Sequence, residues 1–378
     1  MLPKERVQTA LSHNEPDRVP LALWGGSYGI VDPLYKKLIN QLNLSEPIPP
    51  IRAGHTVNHI DDRILESLGV DTRYIWPGAA PSDPTHVIEN SDLIYDDFGQ
   101  PWVRTYPYYS TMDGILKDAT TIQEIDSVVN WPDIDDPRWT AGVAARAETL
   151  CDSEYFIIGR MAVSHGPYQM ACDLRGMENF MMDLMTDPEF ASALLDRVTD
   201  TIVGITENYL KSAGNVMDMI EIPGDDYAGN ENLIFSPKVF RQFIRPCLER
   251  IIIKIREIHP DIKIMFHSDG AIGKLIPEFV EMGIDVIHPL EPVIGMDPAQ
   301  IKAEFGDKIS FLGGVDISHA MPGTLEDVRK DVDRCLRDLA PGGGYILAPC
   351  NHLQADVPPE NVIELYRYAM EIGKYAKT

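Results

Sequence analysis

Three things are in short supply in this chain. Cysteine is the first: Cys151, Cys172, Cys247, Cys335 and Cys350 are five in 378 residues, odd in number and widely spaced. That pattern excludes a disulfide framework and fits a reducing compartment. Positive charge is the second: 33 Lys and Arg face 58 Asp and Glu, for a formal net charge of −25. So acidic a chain is a poor partner for nucleic acid or an anionic membrane, and it suits a neutral or basic protein partner. Long apolar runs are the third. No stretch approaches the roughly 18 apolar residues of a membrane span. The opening "MLPKERVQTALSHNEPDRVP" lacks the apolar core of a secretory leader. The expected location is the cytoplasm.

What is present is a regular alternation of short apolar runs with longer amphipathic ones. Strands are expected at 19–24 (VPLALW), 155–161, 216–222, 262–267 (IKIMFH), 284–290, 309–315 and 344–349. Helical patterns lie between them. "SPKVFRQFIRPCLERIIIKIREIHP" opens with Ser236 as its N-cap and Pro237 at the first helical position, where a missing N–H costs nothing. Strand and helix alternating at this spacing imply a parallel sheet, and at least seven strands favour a (β/α)8 TIM barrel. A doubly wound open sheet is the alternative. It usually carries a G-x-G-x-x-G run after its first strand, which "WGGSYG" (24–29) does not match. The expectation is one barrel domain over 1–378, with a helical lead-in and a long excursion near 77–140. That excursion is rich in Pro, Asp and Tyr, and Asp96-Asp97-Phe98-Gly99 marks a hairpin turn.

A barrel works at the carboxyl ends of its strands. His267, Asp269, Glu291 and Cys350 all follow expected strands close in sequence order. Imidazole, carboxylate and thiolate are zinc ligands, so these four form a candidate metal set. Asp269 is either a ligand or a partner that orients His267. Singly, each has a plainer reading: a hydrogen-bonded histidine, a turn aspartate, a loop glutamate, a buried thiol. Glu221, Asp225 and Asp226 in "IEIPGDDYAG" form a second group, either general acids or bases or a solvated acidic loop. Trp24, Tyr28, Met161, His165, Tyr168, Tyr227 and Asn351 sit where walls of a substrate pocket are expected, although methionine and aromatic side chains also build cores.

Five stretches carry a resemblance. "KERVQTALSHNEPDRVPLALW", "GPYQMACDLRGMENFMMDLMTDPE", "DDYAGNENLIFSPKVFRQFIRPCLERI", "FHSDGAIGKLIPEFVEMGIDVIHPLEPVIGMDP" and "APGGGYILAPCNHLQADVPPENVIELY" together resemble the uroporphyrinogen decarboxylase superfamily over nearly the whole chain. The resemblance implies a (β/α)8 barrel. Its decarboxylases carry an Arg-rich segment after the first strand, whereas here "WGGSYGIVDP" is followed by no cation before Lys36. Substrate carboxylates would lack partners there.

The other branch, cobalamin-associated methyltransferases, binds zinc through His-x-Cys after one strand and Cys after the last. The related cobalamin-independent methionine synthases add a Glu. His267, Glu291 and Cys350 match these by position, and Asp269 replaces the first Cys. The resemblance implies a zinc methyltransferase. Its methyl donor is a methoxylated small molecule such as an aryl methyl ether. Its acceptor is cobalamin held by a separate corrinoid protein, since the chain has no Asp-x-His-x-x-Gly run of its own. The donor's identity, the direction of transfer and the oligomeric state, a homodimer among the options, stay open. A decarboxylase and a non-catalytic ligand-binding barrel are the rivals.

Overall fold

The computed structural model describes the chain outside residues 25–26, 46–59, 78–85, 88–92, 106–107, 161–162, 164 and 377–378. Its strands are β1 (Thr72–Ile75), β2 (His86–Val87), β3 (Leu93–Tyr95), β4 (Pro101–Thr105), β5 (Tyr108–Thr111), β6 (Phe156–Arg160), β7 (Met219–Glu221), β8 (Lys263–His267), β9 (Val286–His288), β10 (Ser310–Val315) and β11 (Tyr345–Pro349). Seven of them form one parallel sheet in the order β1-β6-β7-β8-β9-β10-β11.

The eighth stave is the expected first strand. Ala22 N donates to Leu347 O at 3.0 Å, Leu347 N to Pro20 O at 2.9 Å, and Asp71 N to Leu21 O at 2.9 Å. Residues 20–22 therefore join both edges of the sheet and close a (β/α)8 barrel. One stave was not foreseen. β1 reads Thr-Arg-Tyr-Ile, and its polar side chains hide a fully buried strand. Thr72 Oγ1 pairs with Tyr74 Oη at 2.9 Å, and the Arg73 guanidinium lies 3.5 Å from the Tyr155 ring centroid.

The other strands follow the expected logic. Both faces of a barrel strand are covered, so the runs are apolar throughout, and β10 and β11 are buried at every position. Each buried Ile, Leu or Val contributes roughly 1.5–3 kcal/mol. Among the helices, Ser236 Oγ accepts from Val239 N at 3.3 Å, as the cap requires. The helix beyond it is not regular. Phe240–Ile244 is a π-turn just before Pro246, where the proline ring and its missing N–H cannot sustain regular α pairing.

In the excursion, β2 to β5 form an antiparallel sheet rather than a single hairpin. Asp96 Oδ1 accepts from Phe98 N at 3.0 Å and Gln100 N at 2.9 Å. Gly99 takes a φ of 83°, which closes the β3–β4 turn. Among the described residues no helix is long and apolar enough to cross a membrane.

Candidate metal centre at the barrel mouth

β8 ends on His267, which is buried, and the loop after β7 folds over it. Asp225 N donates to His267 O at 3.2 Å, and Asp269 N donates to Asp226 Oδ1 at 2.9 Å. These ties bring one ligand atom each from Asp226, His267 and Asp269 within 4.8 Å of one another. His267 Nε2 lies 3.9 Å from Asp226 Oδ1 and 3.7 Å from Asp269 Oδ1. Gly224 makes the approach feasible, because a Cβ there would come within 2.9 Å of His267 Cδ2 and 3.0 Å of its carbonyl.

The imidazole's orientation is fixed from behind. His288 ends β9 and is fully buried. Its Nε2 sits 3.1 Å from Pro349 O, and its Nδ1 sits 2.8 Å from His267 Nδ1. A carbonyl can only accept, so Nε2 of His288 carries the proton and donates. Burial, then the neighbouring His267, holds the His288 pKa well below the usual histidine range, so this ring is neutral. Its Nδ1 is therefore an acceptor, and His267 Nδ1–H must donate to it. With Nδ1 committed as the donor, His267 turns Nε2 toward two carboxylates. Tyr28 packs over His288 with ring centroids 4.7 Å apart and steadies the relay.

Asp269 is the second unusual member. Its Oδ2 accepts from Asn351 Nδ2 at 2.5 Å. Its Oδ1 is buried and has no hydrogen-bond partner among the described residues. Burial, with Asp226 and Glu291 nearby, raises its carboxyl to about 7, against the opposing pull of His267 and Asn351. A buried oxygen without a donor beside an imidazole nitrogen is what a cation would satisfy, so the donor set fits a divalent metal.

The four residues expected as ligands are thus divided. His267 and Asp269 are in the cluster, joined by Asp226 from the group expected to be general acids. Among the described residues, Glu291 and Cys350 bring no ligand atom into it. Glu291 Oε2 instead accepts from Gly270 N at 3.0 Å and supports the loop. Cys350 is 1% exposed, and burial, then Cys335 and Glu291, pushes its thiol well above the usual range.

The remaining expectations also sort by geometry. Asp225 is placed as a helix cap, accepting from Tyr168 N at 3.0 Å and Gln169 N at 2.8 Å, and from Tyr227 Oη at 3.0 Å. Burial still lifts its carboxyl to about 7. Tyr168 and Tyr227 are fully buried behind it, among Phe235, Phe240 and Phe266. Both are core rather than pocket wall. Glu221 is buried at the end of β7, in register with Arg160 of β6. Trp24 stacks edge-on with Tyr74 and Trp76 at 4.8 and 5.0 Å. His165 follows β6, and Met161 lies outside the described residues. The sequence reading missed His288. The signal was its place before Pro289, ending an apolar run one strand along from His267.

The fold and the strand-end cluster define a (β/α)8 barrel with its chemistry-bearing side chains at the carboxyl face. Residues 118–372 match the family model for Uroporphyrinogen decarboxylase (URO-D), and the chain belongs to that family. It is 26% identical over 191 residues to uroporphyrinogen decarboxylase 2, chloroplastic, of Oryza sativa subsp. japonica, covering 50% of this chain and 44% of that one. It is 27% identical over 175 residues to a methylated-thiol–coenzyme M methyltransferase of Methanosarcina mazei, covering 45% and 42%. The chain thus spans under half the length of both. A solved methyltransferase from Methanosarcina mazei shares the fold at a TM-score of 0.65 and 18% identity, covering 98% of this chain and 99% of that one.

Proposed function

We propose that this barrel is a metal-dependent methyltransferase that activates a methoxylated small molecule, plainly exemplified by an aryl methyl ether. Its methyl acceptor is the reduced cobalt of a separate corrinoid protein. The observation that carries the reading is the Pro349–His288–His267 relay. It commits His267 Nε2 to a pocket where the buried Asp269 Oδ1 lacks a donor among the described residues. His267, Asp269 and Asp226 would hold the metal, for which zinc is the choice. A bound divalent ion supplies Lewis acidity toward the oxygen from which the methyl group departs.

The chain's own residues do the rest. His288 holds the imidazole tautomer, and Asn351 orients Asp269. One imidazole and two carboxylates make a harder set than one built on thiolates. That favours an oxygen-bearing methyl donor over a thioether. A methyltransferase among the relatives and a full-length structural likeness to another support the reaction class. Porphyrinogen decarboxylation is disfavoured by the cation-free stretch after the first stave.

The test is to load the purified chain with zinc, mix it with a reduced corrinoid protein and a panel of methoxyarenes, and follow the cobalt spectrum. Formation of methyl-Co(III) that is lost in His267→Ala and Asp269→Ala supports the reading. Carbon dioxide release from a porphyrinogen by the metal-free chain overturns it.

A further inference from the structure

We propose that His165, oriented by Asp173, is the general acid that protonates the departing oxygen; this rests on the methyl-transfer reading above. His165 follows β6 at the same mouth, in parallel bridge pairing with Gly224, the residue packed against the His267 ring. Its side chain is 38% exposed, so solvent and substrate can reach it.

Two elements fix the ring. From the Pro167–Arg175 helix, Asp173 Oδ2 accepts from His165 Nδ1 at 2.8 Å, and its other oxygen accepts from Gln169 Nε2 at 2.9 Å. From the excursion, the Trp102 ring lies 6.2 Å from the imidazole centroid, and Trp102 Nε1 is itself held by Asp96 Oδ2 at 3.0 Å. Among the described residues, the charged groups facing His165 include Asp173 on its own side and Asp225 from the β7 loop, with Asp96 acting on Asp173. All three are carboxyls, and each that is ionised favours the imidazolium. With Nδ1–H committed to Asp173, the mobile proton is on Nε2.

The reaction then balances. The bond between oxygen and methyl carbon breaks, and its electron pair stays on oxygen. The carbon bonds to the Co(I) nucleophile, which becomes Co(III). The proton on His165 Nε2 passes to the alkoxide or phenolate, leaving a neutral alcohol and a neutral imidazole that regains a proton from water.

The excursion thereby acquires a role: β4 delivers Trp102 to the ring that must donate. Asp173 is a positioning residue. The sequence marked His165 only as a pocket wall, because its partner lies eight residues further on, within an apparently apolar segment.

The experiment measures methyl transfer to chemically reduced cobalamin from ethers whose leaving alcohols span a wide range of acidity. Wild type, His165→Gln and Asp173→Asn are compared, with bound zinc and circular dichroism confirming folded protein. A lost general acid should lower the rate by roughly 10²–10⁴-fold for the poorest leaving groups. It should lower it only a few-fold for nitrophenyl-type ones, so the dependence on leaving-group acidity steepens. Asp173→Asn should move the alkaline fall of kcat to lower pH with KM little changed. If His165→Gln does not fold, the Asp173→Asn profile decides alone. An active wild type with equal losses across all ethers overturns the dyad and leaves the methyltransferase standing. A wild type that transfers no methyl group from any ether removes both.

Discussion

His267 Nδ1 and His288 Nδ1 lie 2.8 Å apart, and only one of the two can supply the proton between them. The Pro349 carbonyl behind His288 settles which. The mouth's chemistry is thus set by a carbonyl on the far side of two rings.

His288→Leu removes the acceptor and leaves the buried His267 N–H without a partner. The expected result is a 10–100-fold loss of metal affinity, the usual cost of removing a ligand's supporting hydrogen bond, with a stability loss of about 1–3 kcal/mol. His288→Asn keeps an oxygen that can accept and should recover most of the affinity. Competition with a chromogenic chelator measures both, and equal affinities for Leu and Asn would remove the relay from the account.

Cys350→Ala separates the ligand set read from sequence from the one the structure assembles. With Sγ outside the cluster, the variant should bind added zinc as the wild type does and lose about 1–2 kcal/mol as a buried-group deletion. Asp226→Ala should lose the metal. Metal analysis after dialysis gives the answer, and zinc lost on Cys350→Ala restores the thiolate to the site.

Gly224→Ala tests the packing under the imidazole. The new Cβ at 2.9 Å from His267 Cδ2 must displace the ring or the β7 loop. Overpacking of this kind costs about 1–3 kcal/mol. Metal binding should fall further than the melting temperature suggests. Unaltered affinity would mean that the loop yields freely.

Asp96 predicts a pH dependence. Burial holds its carboxyl at about 7 against an ordinary 3.8, despite the lowering effect of its bonds to Trp102, Gln100 and Phe98. The folded state therefore keeps this proton longer than the unfolded chain does. The stability of the excursion is fullest below about pH 4, falls as pH rises toward 7, and levels off above it. Asp96→Asn should flatten that slope, as read by amide exchange of residues 93–103 at several pH values. A slope unchanged in the variant assigns the dependence to another group.

The barrel was legible because its staves are buried on both faces and read as short apolar runs between amphipathic helices. β1 was not, because Arg73 spends its charge against the Tyr155 ring and nearby carbonyls, so a buried strand wears a polar sequence. At the mouth, His267 and Asp269 could be seen at the end of a strand. Their third neighbour could not be ranked: Asp225 and Asp226 are adjacent in sequence, and only the fold decides that one caps a helix while the other faces the imidazole. His288 stayed hidden because its function is to touch another side chain rather than a ligand.

The closing stave carries a cost in time. Residues 20–22 pair with Leu347, which lies far along the chain and is made long after them. The nascent barrel must remain an unsealed sheet, edges bare, until β11 has been synthesised. Pairings this distant in sequence make for slow folding and a period of exposure to aggregation. Production of the chain should therefore gain more from cooler growth or added chaperone than from any change at the mouth.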